Sequence, residues 1–161
     1  MDMAFPGSPA TADAEKLKEA VTNAAGVIMA SPEYHGGICA MSKLVIENLG
    51  FPSLLAGKPM ALLGVAAGRI GAIKSLEKMK GICSHIGAII VPGSISIAGA
   101  RQAFDDEGNC LDEGSEKALR GVAKSMSGFL SDYVCPKYIL ENMVREDGRP
   151  REDGRPWASS I

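Results

Sequence analysis

Short apolar runs without a charge alternate along this chain with stretches in which apolar residues recur every three or four positions. Residues 12–25 place Leu17, Val21 and Ala24 on one face and Glu15, Lys18 and Glu19 on the other, which predicts a helix, with Gly26 standing where a C-terminal capping glycine belongs. Residues 27–30, Val-Ile-Met-Ala, predict a parallel strand covered by helices on both faces. Pro32 is expected to end the pairing, because it lacks a backbone N–H and forces Ser31 into an extended conformation. The chain then leaves the sheet at the carboxyl end of a strand, where open α/β sheets bind ligands, and Gly36 and Gly37 follow without side chains.

The same alternation continues. A helix is expected over 40–49, and its consecutive Leu44, Val45 and Ile46 point to different sides, so it needs a partner beyond its own sheet. Residues 59–66 form a second strand and 67–71 a turn. A helix follows with Ile73, Leu76, Met79, Ile82, Cys83 and Ile86 on its inner face and Gly87 as its cap. Residues 88–91 are a third strand, stopped by Pro92. Residues 93–111 read as irregular, with a tight turn or small hairpin at Asp106-Glu107-Gly108-Asn109. A long helix starts near Glu113 with Ser115 as its cap and carries the stripe Leu119, Val122, Ala123, Met126, Phe129, Leu130 and Tyr133. A shorter helical piece follows at 137–144.

Both ends differ from this body. Residues 1–11 lack periodicity and hold Pro6, Gly7 and Pro9, which predicts a lead-in loop. At the other end Arg-Glu-Asp-Gly-Arg-Pro occurs twice in tandem, at 145–150 and 151–156, with no apolar residue. Such a stretch buries too little surface to offset its ordering entropy, so 145–161 is expected to be a mobile or loosely attached tail, with Trp157 either solvated, the favoured reading, or docked on a neighbour. The domain itself is assigned to 1–144.

Composition narrows the possibilities. A chain of 161 residues is one domain's worth, and its low aromatic share with many Ala, Gly, Ile and Val residues suits an α/β sandwich. A net charge of −2 leaves no basic footprint for nucleic acid. There is no cationic region followed by an apolar one at the start, and no run approaching the roughly 18 apolar residues of a membrane span, so neither a signal peptide nor a membrane association is expected. The four cysteines, Cys39, Cys83, Cys110 and Cys135, form no C-x-x-C pair, which is simplest for reduced thiols in a cytoplasmic protein. Cys83 and His85 lie two apart on a helix and point away from each other, and Cys39 with His35 has no further ligand nearby. No metal site is expected.

Three segments carry a resemblance. Pro32-Glu33-Tyr34-His35-Gly36-Gly37 resembles the flavin loop of the NAD(P)H-dependent FMN reductases, a flavodoxin-like family that includes quinone, azo and chromate reductases. The run from Gly57-Lys58-Pro59 to Gly68-Arg69-Ile70-Gly71 is similar to that family's next strand and turn, and the stretch from Val91-Pro92-Gly93 to Asp105 is similar to its third segment. The resemblance spans about residues 14–133. It implies a flavodoxin-like three-layer sandwich on a parallel sheet, FMN and NAD(P)H as cofactors, and a ping-pong transfer from NAD(P)H through FMN to a quinone, azo compound, metal oxyanion or free flavin. It also implies a homodimer or tetramer built on the helix at 40–49. The flavin contacts it implies are Pro32, Glu33, Tyr34, His35, Gly36, Gly68, Arg69, Ile70 and Gly71, chiefly through the backbone amides of 33–36 and 68–71. No side chain is assigned a catalytic proton, since the cofactor carries the hydride chemistry. Tyr34 either stacks on the ring or pins its loop, His35 is either a contact or solvated, and Arg69 either reaches the ligands or caps a surface turn.

One part of the pattern has no counterpart. A flavodoxin-like sheet is ordered 2-1-3-4-5, with the flavin phosphate held after strand 1. Only one helix and one loop precede Val27, and Gly7-Ser8-Pro9 follows too few residues to close a strand. By resemblance the chain therefore begins after the family's second strand, without the phosphate loop. The expectations are an unpaired edge on the strand at Val27 and weak or absent FMN binding. The alternative function is a non-catalytic flavodoxin-like fragment or dimerisation module.

Overall fold

The computed structural model describes residues 11–145; the Gly7-Ser8-Pro9 stretch, the rest of the lead-in up to residue 10, the tandem hexapeptide after Arg145 and Trp157 lie outside the described residues. Helix α1 (Ala12–Asn23) leads into strand β1 (Val27–Tyr34), which turns back as β2 (Gly37–Ile38). Then come α2 (Ala40–Asn48), β3 (Pro59–Val65), α3 (Ile73–His85), β4 (Ile89–Ile90), β5 (Ile95–Ile97), the single-turn α4 (Ala100–Ala103) and α5 (Glu113–Phe129). A π-helical turn at Leu130–Val134 joins α5 to α6 (Cys135–Arg145).

β3 is the centre of the sheet. β1 runs parallel to it from Val27↔Met60 to Pro32↔Val65, while β4 and β5 pair in parallel with its other side. β2 is antiparallel to β1, so the sheet is mixed rather than wholly parallel. Met60 and Leu62 on β3 point into a large core with Val21, Ile46, Leu49, Leu76, Met79 and Cys83, and Ala61 points into a second with Val91, Val122 and Met126. Two covered faces make the continuous apolar run of β3 the natural sequence for a central strand.

β1 departs from expectation in two ways. Pro32 does not end the strand; it pairs with Val65, and β1 runs on to Tyr34. Proline is tolerated in an edge strand because its missing N–H removes no ladder bond on the open side. Among the described residues, 27–32 have no partner opposite β3, which is the open edge anticipated above. Nor are both faces covered: Ile28 is half exposed and Ala30 exposed, while Met29 and Ser31 face inward. α5 reaches β3 and β5 but leaves that outer strip of β1 bare.

Glycines and caps explain most other differences. α1 ends at Asn23, its last carbonyls met by the Lys58 ammonium, which donates to Thr22 O at 3.2 Å and Ala24 O at 2.7 Å. Gly26 is therefore no cap; it admits close packing, since a Cβ there would stand 2.9 Å from Met126 Sδ. Gly87 does cap α3: with φ at +84°, its N–H donates to Ser84 O and that of Ala88 to Cys83 O, a Schellman closure. On α5 the cap is Asp112, whose carboxylate accepts the Ser115 N–H at 2.7 Å, so Ser115 receives the cap rather than supplying it. Ile73 and Tyr133, both expected inside, are 52% and 65% exposed. Residues 93–111 are more ordered than the sequence suggests. After Pro92-Gly93 the third strand resumes as β5, and Phe104 pairs with Cys110 across a turn tied by Asp105.

Candidate functional site

Parallel pairing of β1 with β3 and of β3 with β5 brings the turns after all three strands to one edge of the sheet. The first is a two-residue hairpin turn, Tyr34-His35-Gly36-Gly37. His35 (φ +50°) and Gly36 (φ +70°) are both left-handed, the geometry that matches the twist of a tight hairpin. His35 is the one described non-glycine residue in that region, a conformation that stores strain. Tyr34 and His35 are exposed, Gly36 is half-buried and Gly37 is buried. Pro32 and Glu33 remain in the strand.

The second turn closes on itself. Gly71, at φ +78°, donates its N–H to Gly68 O at 3.2 Å, and a Cβ on it would fall 2.3 Å from Ser96 Oγ. Gly71 is thus turned inward with its amide engaged, and the outer surface belongs to Gly68, Arg69 and Ile70, the last 85% exposed. The turn after β5 is stitched to it, Gly99 N donating to Gly68 O at 3.2 Å and Ala100 N to Ala66 O at 3.0 Å.

The two turns meet at the start of α3, which has no side-chain cap at Ala72 and no acidic residue in its first turn. Distant residues complete it. Ser96 Oγ accepts the Ala72 N–H at 2.7 Å, and Glu33 Oε2 accepts the Ser75 N–H at 3.0 Å, a carboxylate on the positive end of the helix. Lys78 Nζ returns to donate to Gly36 O at 3.0 Å. Sequence reasoning missed Ser96, Ser75 and Lys78, because these contacts join residues 24 to 42 apart along the chain.

Beside the first turn a groove of about 560 Å³ wraps the open edge of β1, lined by Ile28, Pro32, Tyr34, Cys39, Met41 and Val45 among others. Cys39 caps α2, accepting the Ser42 N–H at 3.4 Å, and Ser42 Oγ donates in turn to Ser31 Oγ at 3.0 Å. Burial alone would raise the Cys39 thiol, but the hydrogen bonds from Ser42, Ser31 and Met41 outweigh it and hold the thiol below its ordinary value. Cys83 has no such partners, and burial pushes it up to about 11. Among the described residues no three of His, Cys, Asp and Glu gather as metal ligands.

This rim fits a planar ring better than a phosphate. Tyr34 and Ile70 expose broad apolar surfaces, and Gly68 has no atom within 4 Å of where a Cβ would stand. At the starts of the longer helices, in contrast, one or two N–H groups are already taken by side chains: on α1 by Thr11, on α2 by Cys39, on α3 by Glu33 and Ser96, and on α5 by Asp112.

Residues 3–102 match the model of the family described as NADPH-dependent FMN reductase. The chain belongs to this family. Among relatives of the FMN reductase family, an NADPH azoreductase of Bacillus sp. (strain OY1-2) is 30% identical over 119 residues, which cover 74% of this chain and 64% of that protein. An NAD(P)H-dependent FMN reductase of Pseudomonas aeruginosa is 26% identical over 110 residues, 66% of this chain and 59% of its own. The chain thus spans under two thirds of these two relatives. Among solved structures, the flavoenzyme NAD(P)H:(acceptor) oxidoreductase FerB of Paracoccus denitrificans superposes with a TM-score of 0.64 at 22% identity, over 79% of this chain and 74% of that one. The flavodoxin-like fold is common to both.

Proposed function

We propose that this chain is an NAD(P)H-dependent flavin oxidoreductase that holds the ring of FMN at the edge formed by residues 32–36 and 68–70. The observation that carries this reading is the junction of two glycine-bearing turns, from adjacent parallel strands, at one helix start. Bound there, FMN supplies the hydride chemistry, taking a hydride from NAD(P)H and passing electrons to a second substrate. The chain's own contribution is orientation: Tyr34 and Ile70 offer apolar faces, and the turn backbone offers donors at fixed positions. We assign the acceptor to the class the family reduces, a quinone, azo compound, metal oxyanion or free flavin, entering after NADP⁺ or NAD⁺ has left. A homodimer or tetramer through α2 agrees with the half-exposed Met41 on that helix, and the free cysteines agree with a cytoplasmic setting.

The test is a titration of the purified chain with FMN, followed by flavin fluorescence, and then NAD(P)H oxidation with a quinone or azo acceptor. Saturable quenching with a Kd weaker than about 1 µM is expected, because the starts of α1, α2, α3 and α5 each already hold a side-chain acceptor where a phosphate would sit. Absence of saturable binding at millimolar FMN, with a colourless protein, defeats the enzyme reading. The same outcome favours the second reading, a non-catalytic flavodoxin-like module, which the side-chain acceptors already seated at these helix starts also support.

A further inference from the structure

The side chain of Glu33 turns away from the rim it belongs to, and its carboxylate closes the first turn of α3 by accepting the Ser75 N–H. From the same helix face, three residues on, Lys78 reaches back over the rim to Gly36 O. Residues 33–36 are thus gripped on both sides of the left-handed His35 by one helix. The glycines make room for it. A Cβ on Gly37 would stand 3.0 Å from Lys78 Nζ, and one on Gly36 3.4 Å from Lys74 Cδ. That helix is also the direct continuation of the second turn, and Ser96 holds its leading N–H. Residues 34–37 and 68–71, separated in the chain by α2 and β3, therefore share one anchor.

We propose that Glu33 and Lys78 are positioning residues which lock the two turns to each other through α3, so that the rim stands preformed before a ligand arrives. The proposal deepens the flavin reading and rests on it for its effect on affinity, while the lock itself exists in the ligand-free chain. Both contacts involve a charged partner, the stronger class of hydrogen bond. A rim held this way loses little freedom when it binds, whereas a loosened one must be ordered by the ligand at the expense of affinity.

The test uses the full chain with Glu33→Ala, Glu33→Gln, Lys78→Met and Lys78→Arg, and two measurements. Without ligand, amide hydrogen exchange at 35–37 and 73–76 is expected to quicken in Glu33→Ala and Lys78→Met while exchange at β3 stays at the parent rate. Glu33→Gln keeps an acceptor oxygen and Lys78→Arg a cationic donor, and both are expected to restore protection. With FMN, the dissociation constant is expected to rise about tenfold in Glu33→Ala and about threefold in Lys78→Met, and to return to within about threefold and twofold in the conservative variants. A merely structural role would quicken exchange in β3 as well and give no rescue. Parent-like exchange at 35–37 in both Glu33→Ala and Lys78→Met overturns the proposal, as does quickened exchange with unchanged FMN affinity. If the parent chain binds no FMN, the flavin reading fails by itself and the exchange data alone decide for or against the lock. Should Glu33→Ala not fold, Lys78→Met and Lys78→Arg, which alter an exposed side chain, decide it by the same two measurements.

Discussion

Gly64 sits in the middle of β3, against the first turn of α3, and replacing it by alanine tests how tightly that helix start is seated. Its backbone is not left-handed, so the added methyl meets only space. That space is taken: the new Cβ would lie 2.7 Å from Ala72 Cβ, 3.0 Å from Leu76 Cγ and 3.1 Å from Ala72 O. Carbon contacts are comfortable near 3.5–4.0 Å, so the start of α3 must retreat by roughly 1 Å. Ala72 O already accepts the Leu76 N–H at 3.0 Å and Ala72 N is held by Ser96, so the retreat also strains both bonds. Overpacking of this kind costs about 1–3 kcal/mol, offset by about 0.4–1 kcal/mol from the stiffer unfolded chain, for a net loss of about 1–2 kcal/mol. In urea the midpoint should fall by roughly 0.5–1 M at unchanged slope. Gly68→Ala is the internal control, since nothing lies within 4 Å of its added methyl, and it should stay within about 0.5 kcal/mol of the parent. A Gly64→Ala midpoint equal to or above that of the parent would refute the packing argument.

Three further outcomes rest on the same packing and hydrogen bonds. Leu62→Ala removes a side chain with no exposed surface at the centre of the large core and should cost about 2–5 kcal/mol in the same urea measurement. Asp105 is held below the usual carboxylate range, first by the Asn109 side chain and then by backbone N–H groups, so its contribution is complete above about pH 4 and is lost as the pH falls through its folded value. Thermal midpoints between pH 2 and 6 should fall less steeply in Asp105→Asn than in the parent, and parallel curves would contradict this. Native chain treated with iodoacetamide at pH 8 should be alkylated first at the exposed Cys135, with Cys83 untouched until urea is added, because its thiol is both buried and shifted to about 11.

The sequence discloses most where one residue's chemistry decides its own neighbourhood. β3 reads correctly because a strand covered on both sides needs an unbroken apolar run, and Gly87 reads correctly because only glycine closes a helix this way without cost. β1 is harder to read. Its run at 27–30 resembles that of β3, yet only one face is covered, and composition does not reveal whether a helix lies over a given strip. Gly26 misleads for a related reason: glycine serves equally to cap a helix or to admit a neighbour, and Met126, a hundred residues away, is what selects the second role. β5 is hidden because Pro92-Gly93 interrupts the third strand without ending it.

At the candidate site the division is sharper. Both bends are legible, since Gly36 and Gly71 occupy left-handed positions that few other residues accept, and both follow strands that alternation marks. Their relation is not. A local pattern tells which residue begins a turn, but α3 carries no cap of its own, and that deficit is met by Glu33 and Ser96 from opposite sides. A helix start lacking a local cap is therefore itself a signal, because buried N–H groups must find acceptors somewhere. Applied here, the absence of Ser, Thr, Asp or Asn at Ala72 demands outside acceptors, and the parallel order of β1, β3 and β5 brings only a few loops within reach. Glu33, next to the turn after β1, and Ser96, in β5, lie on those neighbouring strands. The physical demand for satisfied donors thus converts a missing local signal into a long-range contact, and that contact joins the two bends into one surface.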